Sequence, residues 1–151
     1  DYAQAYNNLG NVDGQCGALD RAIADYQKAI TLDNTLAVAH YNLGHAYILK
    51  NDLVKAETEL MKAVDVSPED FKYRQALAAF YAAQQKSADA IALMKPSDKN
   101  PRSHYQLAMV YKNEKRYDDA IQELEVYLSF VADFQEQNII RQDIREIKFF
   151  P

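Results

Sequence analysis

Residues 37 to 70 read AVAHYNLGHAYILKNDLVKAETELMKAVDVSPED, and the way this stretch recurs decides the fold. Its word YNLG at 41 to 44 repeats NNLG at 7 to 10. The leucine of that word, Leu9 and then Leu43, returns at an equal interval as Leu77 in QALAAFY, and after a slightly shorter one as Leu107 in YQLAMVY. A fixed period of this length marks an array of small units, each of which buries its apolar face only against its neighbours. His40, Leu43, Gly44 and Tyr47 fall at i, i+3, i+4 and i+7, one face of a helix. Gly44, with Ala56 and Ala63 opposite, lets two helix axes approach closely while Leu and Tyr fill the remaining space.

Local signals set the boundaries. Lys50-Asn51-Asp52 predicts a turn and a helix N-cap before LVKAETELMKAV, and Ser67-Pro68 stops that helix. Asn100 is expected to cap a helix that opens with Pro101. Pro96 falls where the second helix of the third unit should still run, so that helix is expected to be truncated, over about 87 to 95. Residues 135 to 148, QEQNIIRQDIREIK, predict a further helix with Asp133 as its cap and Ile140, Ile144 and Ile147 on one face, a lid over the last unit. The units then span about 3 to 36, 37 to 70, 71 to 100 and 101 to 134, in one domain over 1 to 151.

Composition agrees. A chain of 151 residues with 48% hydrophobic and 26% charged content, four Gly and four Pro reads as globular and all-α. No apolar run approaches the roughly 20 residues of a membrane span, so the expectation is a soluble chain with no membrane span, the compartment open and the cytoplasm slightly favoured. The absence of an initial Met reads as a fragment or processed product. A net charge of −5 argues against a nucleic-acid partner, which calls for a basic stripe. One cysteine, Cys16, provides neither an internal disulfide nor a Cys-rich metal site.

These slots resemble the tetratricopeptide repeat family, whose unit is a helix-turn-helix of about 34 residues. The copy at 37 to 70 carries Leu43, Gly44, Tyr47, Ala56, Leu60, Ala63 and Pro68 in the family's positions. The first copy keeps Tyr6, Leu9, Gly10, Ala22, Tyr26 and Ala29, but has Asp13 for the tyrosine and Asn34 for the proline. The third keeps Leu77, Ala78, Tyr81, Ala90 and Met94, and the fourth Leu107, Ala108, Tyr111, Ala120 and Leu124, with Tyr127 in a slot usually small. The resemblance implies a right-handed α-solenoid of four helical hairpins plus a C-terminal capping helix, with first helices lining an inner groove.

Chemical sites are weighed against that frame. His40 and His45 lie five apart and diverge around a helix, whereas a metal pair needs i, i+4; His40 is read as a packing residue. Cys16 sits in a turn with nothing local to activate it. Asp118, Asp119, Glu123 and Glu125 alternate with Ala120, Ile121 and Leu124, as a solvated helix face does. No metal, cofactor or catalytic residue is expected. Asp13 in an aromatic slot either reaches water through a frayed helix end or pairs with a cation such as Arg21.

The expected function is a passive protein-protein interaction scaffold that binds a peptide segment of a partner. A second stripe on each first helix faces the groove: Gln4, Asn7, Asn11 and Gly14; Val38, Tyr41, His45 and Ile48; Lys72, Gln75, Ala79 and Ala82; Arg102, Tyr105, Met109 and Lys112. With Asn42, the residues expected to bind are Asn7, Asn11, Tyr41, His45, Ile48, Lys72, Gln75, Arg102, Tyr105 and Met109. First helices of units two to four contain no Asp or Glu, while the acids gather on second helices, so the partner is expected to be apolar with some negative charge. Some family members hold a chaperone C-terminal carboxylate in a clamp of lysines, asparagines and an arginine. Asn11, Asn42 and Lys72 match three of its slots, whereas Asn7 and Ala76 depart from the other two. The rival reading is self-association through the exposed first hairpin.

Overall fold

The computed structural model describes residues 2–94 and 101–149. Among them it contains nine helices and no strand: α1 Tyr2–Gln15, α2 Leu19–Leu32, α3 Ala37–Leu49, α4 Leu53–Val66, α5 Phe71–Ala83, α6 Ser87–Leu93, α7 Arg102–Asn113, α8 Tyr117–Phe130 and α9 Phe134–Phe149. None of these helices is long and apolar enough to cross a membrane. They fall into two compact units, Asp1–Leu77 and Ala78–Pro151.

One turn recurs between first and second helices. Gly17, Asn51, Gln85 and Lys115 hold left-handed backbone at φ 76°, 60°, 61° and 58°. Their positions repeat the spacing of Leu9, Leu43, Leu77 and Leu107. In each case the following N–H reaches back five residues, Ala18 to the carbonyl of Asp13 at 2.8 Å, and Asp52 to Tyr47, Lys86 to Tyr81 and Arg116 to Tyr111 at 2.9 Å. This pairing satisfies carbonyls that a helix end leaves open, and it lets the chain reverse within a short turn.

The turn folds α2 onto α1, α4 onto α3 and α8 onto α7. Small residues make the approach possible. A Cβ on Gly44 would lie 2.8 Å from Leu60 Cγ, and one on Gly10 would lie 2.6 Å from the Tyr26 ring. Ala78 and Ala108 take that slot in the later copies and are buried. Asp52 caps α4 by accepting the Lys55 N–H at 3.3 Å, and Asp133 caps α9 by accepting that of Glu136 at 2.8 Å. Helix α7 starts at Arg102, just after Pro101; its expected cap, Asn100, and Pro96 lie outside the described residues. The shortened helix of the third copy is α6, seven residues where α2, α4 and α8 have 14.

In the second unit α9 buries Ile140, Ile144 and Ile147 against Ala120, Leu124 and Tyr127 of α8, as the three-isoleucine face predicts. Its outward face presents Arg141, Gln142 and Arg145 to water. Phe134, Ile139 and Phe149 of the same helix are also exposed, so its outer surface is mixed.

Candidate functional site

In the first unit the polar stripe of α1 meets that of α3. Asn42 Nδ2 donates to Asn7 Oδ1 at 2.9 Å and to Asn11 Oδ1 at 3.0 Å, and the Tyr26 hydroxyl donates to the same Asn11 oxygen at 2.9 Å. Asn7, expected on the groove surface, is only 1% exposed and serves as a tie between helices. Asn11 and Asn42 are half-buried, and the network fixes their amide planes.

Beside them Tyr41 is framed on three sides. The His45 ring meets its edge at 4.5 Å between centroids, the Tyr73 ring lies 5.5 Å away, and Lys72 Nζ sits 4.2 Å above its face. Asn11, Tyr26, Tyr41, Asn42, His45 and Leu49 line an open recess of about 370 Å³. The His45 side chain keeps solvent access, yet loss of part of its hydration, and then the nearby Lys72 charge, hold its pKa below the ordinary imidazole value. At neutral pH the ring is therefore uncharged. Ile48 is half-buried and Gln75 is exposed.

In the second unit the stripe of α7 is shared with α9. The Tyr105 ring packs 5.7 Å from that of Tyr127, and its hydroxyl donates to Asp143 at 3.3 Å. The Tyr127 hydroxyl donates to Glu136 at 2.6 Å. Burial, then these carboxylates, raise both phenol pKa values. Arg102, Tyr105, Tyr127, Glu136 and Ile139 line a recess of about 320 Å³, while Met109 packs into the α8–α9 cluster. Sorting charge by first and second helices misses Asp143 and Glu136, because a lid helix belongs to neither class. Glu136 makes this recess mixed in charge, unlike the mildly basic surface expected, and Asp143 stands beside it on the Tyr105 hydroxyl.

The packing residue His40 is buried, as its slot predicts, but it has a partner that reading its own helix does not reveal. Its Nδ1 lies 2.6 Å from Glu59 Oε2, and its Nε2 lies 3.2 Å from the Asn34 carbonyl. His104 repeats the contact with Glu123 at 2.7 Å. Glu123, placed on a solvated face from its neighbours in sequence, instead turns inward. Both pairs join the same slots of two copies at the same sequence separation, and that recurrence was the available signal. Asp13 takes the second of its two expected courses, pairing with Arg21 at 3.3 Å, and α1 continues past it to Gln15.

A family model described as TPR repeat matches residues 10–51, and one described as tetratricopeptide repeat matches residues 37–70 and 101–128, together more than half of the chain. The chain belongs to the tetratricopeptide repeat family. It is all-α and of the solenoid type that defines tetratricopeptide repeats, and these repeats are in general protein-interaction modules, not catalysts. Among curated proteins, ethylene-overproduction protein 1 of Arabidopsis thaliana is 27% identical over 132 residues, 87% of this chain and 14% of that protein. The chain thus spans about a seventh of that relative's length. Similar tetratricopeptide-type folds include YrrB (TM-score 0.67, 21% identity, 95% of this chain and 79% of that one) and MamA (0.71, 19%, 97% and 87%). Pseudomonas aeruginosa pilF is similar over 97% of this chain and 67% of its own, at TM-score 0.77 and 20% identity. At these identities the likeness is one of fold.

Proposed function

We propose that the chain is a non-catalytic scaffold and that the recess between α1, α2 and α3 takes a peptide segment of a partner protein, apolar with some negative charge. The observation that carries this reading is the prearranged set of Asn11, Tyr41, Asn42, His45 and Lys72. The bonds to Asn7, Asn11 and Tyr26 use Asn11 Oδ1 and Asn42 Nδ2. They leave the donor end of Asn11 and the acceptor end of Asn42 for a ligand, the complement of a peptide's carbonyl and N–H. Tyr41 supplies an apolar anchor surface, and Lys72 supplies the charge that selects acidic over basic sequences. YrrB is described as having an unusual peptide-binding site, which supports the reading by analogy of fold. Arg102, Tyr105 and Met109 belong to a secondary surface in the second unit, narrowed by α9.

The test uses two short fluorescein-labelled peptides, one of alternating leucine and glutamate and one of alternating leucine and lysine, titrated in anisotropy. The glutamate peptide is expected to bind more tightly, and to lose affinity as salt rises. Tyr41→Ala and Lys72→Glu should each weaken it by about tenfold or more, the loss of an anchor residue, and the exposed Lys72→Glu should leave the melting temperature unchanged. Equal capture of both peptides, or variants that bind like the parent, would refute the reading.

A further inference from the structure

No aspartate or glutamate is among the described residues that line the first-unit recess; its titratable lining is Tyr26 of α2 with Tyr41 and His45 of α3. From α5, Lys72 Nζ stands 4.2 Å above the Tyr41 ring and Tyr73 lies 5.5 Å from it. The His45 ring touches the same tyrosine, 4.5 Å between centroids, and is open to water. One tyrosine thus carries a fixed cation and a titratable imidazole together. The acids of the surrounding elements are engaged elsewhere. Asp13 pairs with Arg21 and is hydrogen-bonded to Asp25, and Asp20 pairs with Lys50. On α4, Asp52 pairs with Lys55, and Glu59 with His40 and Lys62. Asp70, before α5, accepts the Lys72 backbone N–H at 2.9 Å.

We propose that His45 makes this recess a proton-linked site, in which an acidic peptide segment binds with uptake of a proton from water onto the imidazole. The inference rests on the peptide reading of the recess. On its own the chain disfavours the imidazolium, because the ring has lost part of its hydration and stands near the Lys72 ammonium, so its pKa lies below the ordinary 6.5. A carboxylate brought in by the segment supplies the opposite charge that the lining lacks, and raises that value. Linkage is reciprocal: the factor by which the segment strengthens proton binding is the factor by which the proton strengthens segment binding. The sign follows from the order of the two values. Because the occupied recess has the higher one, affinity is lowest above it, grows as pH falls through it, and levels off below the value of the free chain. Above that window Lys72 acts alone, and below it the segment meets two cations.

The experiment titrates the full chain with the labelled leucine-glutamate peptide between about pH 7.5 and about pH 5.5, a window in which the glutamates stay ionised while an imidazole titrates. Affinity is expected to rise by about three- to tenfold on acidification. His45→Gln, at an exposed position, should keep the melting temperature and flatten the rise. The leucine-lysine peptide should gain nothing. A second readout follows the His45 ring resonances by NMR, whose titration midpoint should move up by about half to one pH unit when the glutamate peptide saturates the chain. An affinity constant across the window, a rise that His45→Gln leaves intact, an equal rise for the lysine peptide, or an unmoved midpoint overturns the proposal while leaving the peptide reading in place. Failure of the glutamate peptide to bind at either pH removes both.

Discussion

Lys115 holds the same left-handed backbone at φ 58° that Gly17 holds at φ 76°. A side chain there crowds its own backbone at a cost of roughly 1–2 kcal/mol, partly offset because glycine loses more chain entropy on folding. Lys115→Gly is expected to stabilise the protein by about 0.5 kcal/mol, read as a higher urea midpoint at unchanged slope. Only some of these turns were legible. Lys50-Asn51-Asp52 announces one because asparagine tolerates positive φ and aspartate caps the next helix, but Gln85 and Lys115 have no such preference. Those two are placed by the helices on either side, which the spacing of the leucines did disclose. The glycine of NLG was legible for another reason, since only a missing side chain clears Leu60.

Between elements, the His40–Glu59 contact joins α3 to α4, and the Asn34 carbonyl brings in the chain that follows α2. Burial alone would raise the Glu59 pKa, but hydrogen bonds from His40 and Lys62 outweigh it, and the carboxyl lies below its ordinary 4.5. Because the folded value is the lower one, the carboxylate stabilises the fold above about pH 4.5, and that contribution disappears as pH falls through the folded value. Thermal melts at stepwise lower pH should therefore show an acid loss that Glu59→Gln flattens. At neutral pH the same variant should lower stability by roughly 1–3 kcal/mol, since it leaves a buried histidine nitrogen with a weaker partner. Nothing in the local run ETEL shows that one glutamate turns inward, because the pairing depends on how closely two helices approach.

At the scale of the whole chain, the repeat pattern made the helices and most of their order readable, while the surfaces were readable only where neighbours are alike. Tyr41 and His45 of one stripe lie together with Lys72 of the next. Asn7 was lost to a buried tie, and Tyr105 is partly claimed by α9, because a stripe says which way residues point but not what a neighbour brings to them. The closing role of α9 has its own test. Ile144 is buried in the cluster with Leu124 and Tyr127, so Ile144→Ser should cost about 3 kcal/mol and lower the urea midpoint, whereas the same change at exposed Ile139 should leave it nearly unchanged.

Helix α6 has seven residues, about half of what a helix needs to persist on its own in water. Sequence arrays are usually pictured as fraying from their ends. Here the shortest of the described helices lies well inside the chain, so local opening there is expected to expose Ala90 and Met94, the interior of one repeat.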